Sequence, residues 1–255
     1  MRATVSTGGI VMPKKKNPSI IVHLGDYQDT LAHVSADLIF CSPPYNIGSR
    51  QPASTGRRKH GLYDPKSYRA IRDYPDSLPE HEYQDSQEQF LLWAADHLTL
   101  NGTLVYNHKP RRNGRMIHPA EWFCRSTVRA RLCLMEEVIW NRGSTHNHCK
   151  KMFYPTTERL YVFRRADSGY RLTNTQGLSD IWTILPARRN GHNAPFPSTL
   201  AERVIETFSA KGDVICDPYT GSGTTALAAM KLGRRFEGSE ILEKYHCMAL
   251  ELLSC

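Results

Sequence analysis

Asp213-Val214-Ile215-Cys216-Asp217-Pro218-Tyr219-Thr220-Gly221-Ser222-Gly223-Thr224-Thr225 is the stretch on which the fold turns. Its first four residues read as a short strand, Ala226 to Leu232 as a helix, and Arg235 to Ser239 as a second strand that ends at Glu240. Strand, glycine loop, helix, strand and acid form one unit of a parallel α/β sheet. The glycines allow close backbone approach to a ligand, and the helix start offers N–H groups. Glu240 falls about 20 residues beyond the loop, where a carboxylate can accept from both hydroxyls of a ribose. No Gly-Lys-Ser/Thr follows the glycines, which excludes a P-loop, and the third glycine of the dinucleotide fingerprint is missing, which disfavours a nicotinamide site.

Upstream of this unit, Ser198 is expected to cap a helix from Thr199 to Ser209 whose Leu200, Val204, Ile205 and Phe208 form an apolar stripe. Near the start, Ile20 to Leu24 reads as a strand running into Gly25-Asp26, where the aspartate suits either a cap or a ligand contact. A second strand, Asp37 to Cys41, runs into Ser42-Pro43-Pro44-Tyr45-Asn46. Each proline lacks an N–H and holds the residue before it extended, so the corner is rigid and rich in acceptors. Such a corner suits a group that donates hydrogen bonds, such as an exocyclic amine, and Tyr45 offers a ring for stacking.

Between these ends the expected order is a helix from Gln87 to Leu98, a strand at Thr103 to Tyr106 and a helix from Glu121 to Leu132. Strands follow at Glu137 to Trp140, at Leu160 to Phe163 paired with it, and at an edge position at Ile181 to Leu185. Segments around 49–85 and 141–190 are read as insertions. Arg57, Arg58 and Lys59 in the first, Arg111 and Arg112 after the strand at 103–106, and Arg142, Lys150 and Lys151 in the second are candidate phosphate contacts. His146, His148 and Cys149 lack a second cluster at zinc spacing, so no metal site is expected.

The chain has 255 residues, enough for one large α/β domain, here residues 19 to 255 behind a disordered basic tail at 1 to 18. Lys and Arg total 33 against 25 Asp and Glu, a formal charge of +8 that favours a polyanionic partner. Seven scattered cysteines without a Cys-x-x-Cys pair speak for free thiols in a reducing cytoplasm. No apolar run approaches the roughly 18 residues needed to span a bilayer, and no signal peptide is visible.

Ser42-Pro43-Pro44-Tyr45-Asn46-Ile47-Gly48, Asn193-Ala194-Pro195-Phe196-Pro197 with Leu200, and Asp217-Pro218-Tyr219-Thr220-Gly221-Ser222-Gly223-Thr224 together resemble the S-adenosylmethionine-dependent DNA amino-methyltransferases. The proline motif precedes the glycine loop, as in the circularly permuted β class, and the resemblance covers residues 20 to 253. It implies a Rossmann-like methyltransferase fold, a mostly parallel sheet with helices on both faces and loop insertions. It also implies S-adenosyl-L-methionine as cofactor, held by Asp26, Phe196, Pro197, Asp217, Pro218, Tyr219, Gly221, Ser222, Gly223, Thr224 and Glu240. Ser42, Pro43, Pro44 and Tyr45 take the catalytic place. Tyr219 stands where the family usually has Phe, and Ser42 where an Asp is common; the serine usually accompanies cytosine N4 rather than adenine N6 methylation.

The expected substrate is double-stranded DNA in a prokaryotic or phage setting, acted on by a monomer or homodimer, with a cognate restriction endonuclease as a candidate companion. A duplex base must be flipped out to reach such a site, and Tyr45 would replace its lost stacking. Hydrogen bonds from the amine to Ser42 Oγ and the Pro43 carbonyl would leave a more nucleophilic nitrogen that attacks the methyl directly. No cysteine adduct is needed, and Cys41 is read as a packing residue. Adenine-N6 methylation, RNA as substrate and a catalytically silent DNA-binding relative are the competing readings.

Overall fold

A computed structural model describes residues 19–46, 77–143, 153, 155–169, 177–187 and 197–254. The chain runs β1 (Ile20–Leu24), α1 (Tyr27–Thr30), β2 (Ala36–Cys41), α2 (Glu80–His97), β3 (Leu98–His108), β4 (Arg111–Asn113), β5 (Arg115–Ile117), α3 (Ala120–Phe123) and α4 (Ser126–Arg129). It continues through β6 (Leu132–Asn141), β7 (Thr157–Arg165), β8 (Ile181–Thr183), α5 (Ser198–Phe208), β9 (Val214–Asp217), α6 (Thr224–Lys231), β10 (Arg235–Glu240) and α7 (Glu243–Ser254). The main sheet has the order β1-β10-β9-β2-β3-β7-β6-β8, and β7 alone runs against its neighbours.

The period of two in β2 sets the layers. Ile39 and Cys41 face a core shared with Phe90, Leu91 and Ala94 of α2 and with Trp122 of α3. Leu38 and Phe40 face the other core, shared with Leu200, Val204 and Ile205 of α5 and with α6. Each such aliphatic side chain, once fully buried, contributes about 1.5–3 kcal/mol. Helices therefore cover both faces of a mostly parallel sheet, the architecture expected from the sequence.

From β9 the chain passes through α6 to β10 on one side, and from β2 through α2 to β3 on the other, while β9 and β2 are paired neighbours. The two connections diverge there and leave a crevice at the carboxyl ends of the strands. Gly25, Ser42, Asn107, Asp217 and Glu240 all lie at that edge. Because β7 is antiparallel, its beginning lies there too, with Arg159 opposite His108 and Glu158 opposite Trp140.

Several sequence expectations shift. Helix α2 starts at Glu80, so residues 80–85 belong to it and not to an insertion, and it ends at His97. Leu98 to Gly102 already belong to β3, entered through a bulge opposite Ala36 and Leu38. At Gly102 a Cβ would lie 2.8 Å from the Ala36 carbonyl, which explains the glycine at this close approach. The single helix expected over 121–132 is two short turns, α3 and α4, interrupted where Arg125 takes an extended conformation. The segment 141–190 is not one insertion, since it contains β7, a central strand of the sheet, and β8 at its edge. Ser198 is inside α5; Pro197 holds the cap position and no side chain caps the helix. The tail at 1–18 lies outside the described residues.

Candidate active site

The loop after β9 is held by its own backbone amides, which donate to two carboxylates and two carbonyls. Tyr219 N donates to Asp217 Oδ1 at 3.0 Å, Thr220 N to the Ser239 carbonyl at 3.0 Å, Gly221 N to Glu240 Oε2 at 2.9 Å and Gly223 N to the Thr220 carbonyl at 3.1 Å. Amides expected to face a ligand are thus engaged within the protein, and these amides leave no nest for a pyrophosphate. The glycines serve geometry: Gly221 and Gly223 have φ of 56° and 87°, and a Cβ on Gly223 would lie 2.9 Å from Ala249 Cβ of α7. Gly223 lets α6 and α7 meet, a role the motif did not suggest.

Two buried carboxylates flank this loop. Burial pushes the Asp217 carboxyl up to about 7, against hydrogen bonds from Thr225 and the Tyr219 N–H. Glu240 is raised by burial as well, although Leu242 N and Gly221 N donate to its two oxygens. A cleft of about 240 Å³ opens beside them, lined by Asp26, Tyr27, Pro44, Tyr83, Tyr219 and Glu240 among others. The acidic strand end, the aromatic wall and the proline corner of residues distant in sequence thus share one space. Asp26 also accepts from Gln28 N at 2.8 Å as the cap of α1, one of the two places open to it from sequence, and it lines the cleft as well. Pro218 lies in the same wall; Pro197 starts α5, and Phe196 lies outside the described residues. Ser222 is buried and Thr224 begins α6.

Across the cleft the corner at Ser42–Tyr45 is fixed by side chains. Tyr83 donates to the Pro44 carbonyl at 2.8 Å and meets His108 Nε2 at 2.7 Å. His108 is buried, and burial with the Arg111 charge holds its pKa well below the usual value, so it is neutral. Tyr45 rests against His108 with ring centroids 4.5 Å apart, and Lys109 Nζ lies 5.2 Å from its centroid. Ser42 Oγ is 2.9 Å from Tyr45 Oη. Asn107 Nδ2 reaches Tyr45 Oη at 2.6 Å, Glu158 Oε2 at 3.2 Å and Ser42 Oγ at 3.3 Å. Cys41 is fully buried, as expected of a packing residue.

Asn107, His108, Lys109, Glu158 and Tyr83 are the site residues that the sequence reading missed. Asn107 and His108 close β3 and Lys109 follows it, and Glu158 gave no signal, because its partners in space come from the ends of β2, β3 and β6.

One candidate phosphate contact is corrected, and a second is found in an ion pair. Arg111 is 4 % exposed and forms a forked ion pair with Glu80 at 2.7 and 3.0 Å, over the Tyr83 ring. Arg142 Nη1 is engaged with Glu158 at 2.8 Å. The Arg111 charge is therefore spent within the fold, whereas Arg142 shares Glu158 with Lys109 and keeps 27 % of its side chain exposed. Arg112 is exposed on the β4–β5 hairpin; Arg57, Arg58, Lys59, Lys150 and Lys151 lie outside the described residues, as do His146, His148 and Cys149. Among the described residues no cluster of His, Cys, Asp or Glu could hold a metal ion, and no helix is long and apolar enough to cross a membrane.

Comparison with known proteins agrees with this geometry. A family profile described as DNA methylase matches residues 36–251. Type II methyltransferase M2.DpnII of Streptococcus pneumoniae is 24% identical over 259 residues, covering 93% of this chain and 91% of that protein. Among solved structures, the cytosine-N4-specific PvuII DNA methyltransferase superposes with a TM-score of 0.66 at 18% identity, over 92% of this chain and 88% of its own. M1.HpyAVI in complex with SAM gives 0.62 at 15% identity, over 91% and 98%.

Proposed function

The chain belongs to the DNA methylase family, and from that premise we propose that it transfers a methyl group from S-adenosyl-L-methionine to the N4 amine of a flipped cytosine in duplex DNA. The observation that carries this reading is the shared cleft. Pro44 of the acceptor-rich corner and Glu240 of the glycine-loop unit line one space.

The residues present fit the cofactor. Asp217 and Glu240 are buried carboxylates raised by burial, a setting favourable to hydroxyl donors and positive charge, and S-adenosylmethionine carries both. The engaged loop amides suit a ligand without phosphate. Glu240 would hold the ribose, Asp26 and Tyr219 would border the adenine, and Asp217, Pro218, Gly221, Ser222, Gly223 and Thr224 would shape the pocket around it. Phe196 and Pro197 would flank the methionine end. The bound cofactor supplies a methyl group on a positively charged sulfur.

The protein's part is orientation and electrostatics. A cytosine turned out of the duplex would enter beside Tyr45, whose hydroxyl and ring are already held by Ser42, Asn107 and His108. Ser42 Oγ and the Pro43 carbonyl would accept the two amine hydrogens and draw the nitrogen lone pair out of ring conjugation. The bound cofactor would supply its methyl carbon to that lone pair, its sulfur keeping the electrons of the broken carbon–sulfur bond, and the surplus amine proton would pass to solvent water. Arg112 and the cations at 57–59 and 150–151 are the proposed phosphate contacts. Ser42, a neutral hydroxyl, is the feature that favours cytosine; adenine N6 could use the same two acceptors.

Expression in a host that lacks DNA methylation, followed by modification-sensitive sequencing of a resident plasmid, tests the assignment. Modified cytosines at one recurring sequence are expected. Modification confined to adenines would overturn the choice of base, and an unmodified plasmid would favour the silent DNA-binding alternative.

A further inference from the structure

Behind Ser42 lies a polar chain that the transfer reaction, as described, does not use. Ser42 Oγ is 2.9 Å from Tyr45 Oη, which is 3.2 Å from Glu158 Oε2. The other carboxylate oxygen, Oε1, contacts Arg142 Nη1 at 2.8 Å and Lys109 Nζ at 3.3 Å. Glu158 is only 7 % exposed. Two cations in contact keep such a carboxylate ionised, and an ionised carboxylate accepts hydrogen bonds but donates none.

The polarity of the whole chain follows from that end. Tyr45 donates to Glu158, so its oxygen is left to accept, and Ser42 spends its one hydrogen on Tyr45. Asn107 must turn its amide nitrogen toward the carboxylate, and the same nitrogen faces Ser42 and Tyr45. The cost is visible on the opposite side of that amide, where the buried Asn107 Oδ1 has no partner among the described residues. Ser42 Oγ is then left with lone pairs and no hydrogen to offer a further partner.

We propose that Glu158 is a positioning residue that, acting through Tyr45, holds the Ser42 hydroxyl as a hydrogen-bond acceptor toward the target amine. The inference rests on the amine-transfer reading above. Its chemical reason lies in the ambivalence of serine. A hydroxyl free to rotate could donate to the amine nitrogen and occupy the lone pair that must attack. An aspartate at this position would need no such control, because its carboxylate only accepts.

Glu158→Gln tests the proposal without changing shape. Lys109 and Arg142 would keep the amide oxygen on their side, so the amide nitrogen would face Tyr45 and reverse the chain. Tyr45→Phe removes the middle hydroxyl while leaving Glu158 its cations. Methyl transfer to DNA is measured for wild type, both single variants and the double variant, with melting temperature and S-adenosylmethionine affinity measured alongside. Each folded single variant is expected to lose about 100-fold in kcat, with DNA KM and cofactor Kd within about threefold, and the double variant to lose no more than the worse single. A loss in kcat below tenfold in a folded single variant, or a double-variant loss equal to the product of the singles, would overturn the role of Glu158. Should Glu158→Gln fail to fold, Tyr45→Phe decides by the same tenfold limit. An inactive wild type would instead sink the amine-transfer reading, and it is seen before any variant is compared.

Discussion

On one side of the cleft, Gly221 donates to a glutamate only 19 residues further along the chain, and β9, the loop and β10 form a single local unit closed by backbone amides. On the other, Ser42 meets Asn107 across 65 residues and Tyr45 meets Glu158 across 113, through side chains delivered by β2, β3 and β7. The first side is a local unit with a shape set by backbone amides. The second is a set of hydrogen-bond directions set by sheet topology. Substitutions on the two sides should therefore fail differently: binding or folding on the first, turnover on the second.

The sharpest break between them is expected at Ser42. Ser42→Ala should lower kcat by about 10²–10³, while calorimetric S-adenosylmethionine affinity stays within about twofold. A matching loss of cofactor binding would mean that the two sides are not separable. On the opposite side, Gly223→Val places a Cβ 2.9 Å or less from Ala249 at a φ of 87°. It should cost about 2–4 kcal/mol in denaturant unfolding, with stability rather than chemistry as the readout.

Arg111 and Arg112 give a comparison one residue apart. Arg111→Ala leaves Glu80 without its forked partner beneath the Tyr83 ring and should lower stability by about 1–3 kcal/mol, with DNA affinity nearly unchanged. Arg112→Ala should do the reverse, weakening DNA binding in a titration at low salt and leaving the melting temperature alone. Glu240→Gln should raise the cofactor Kd about tenfold, or about 1.4 kcal/mol, with kcat at saturation largely kept.

The smallest effect is one of pH. With its carboxyl raised by burial to about 7, Asp217 binds a proton more readily in the folded chain than in the unfolded one. Its contribution to stability is therefore fully present below the unfolded value, near 3.8, and is lost as pH rises toward and through about 7. Asp217→Asn should accordingly gain in melting temperature relative to wild type at pH 8 more than at pH 5, in the absence of cofactor. An equal difference at both pH values would show that Asp217 does not carry this burden.

The same contrast explains what could be read in the sequence. The Asp217–Glu240 unit was legible because its partners are local and its glycines, strand and acid recur at fixed offsets. So were the strand from Asp37 to Cys41, the pairing of β6 with β7 and the edge position of β8, each a matter of short-range pattern. Glu158 was not legible, because only the antiparallel course of β7 brings it to the edge where β2 and β3 end. Arg111 was misread for the opposite reason. Its charge suggested solvent, but the early start of α2 supplies Glu80 and Tyr83 to bury it. Gly223 carried the right signal for a different cause, since the space it leaves belongs to α7.

The most direct measurement is the chemical identity of the product. The full chain is incubated with duplex DNA and S-adenosylmethionine labelled in its methyl group, and the digested nucleosides are separated by mass. The expected result is label in N4-methylcytosine. Label in N6-methyladenine alone, or none in DNA while the protein binds both cofactor and duplex, would contradict a Ser42 acceptor built for the cytosine amine.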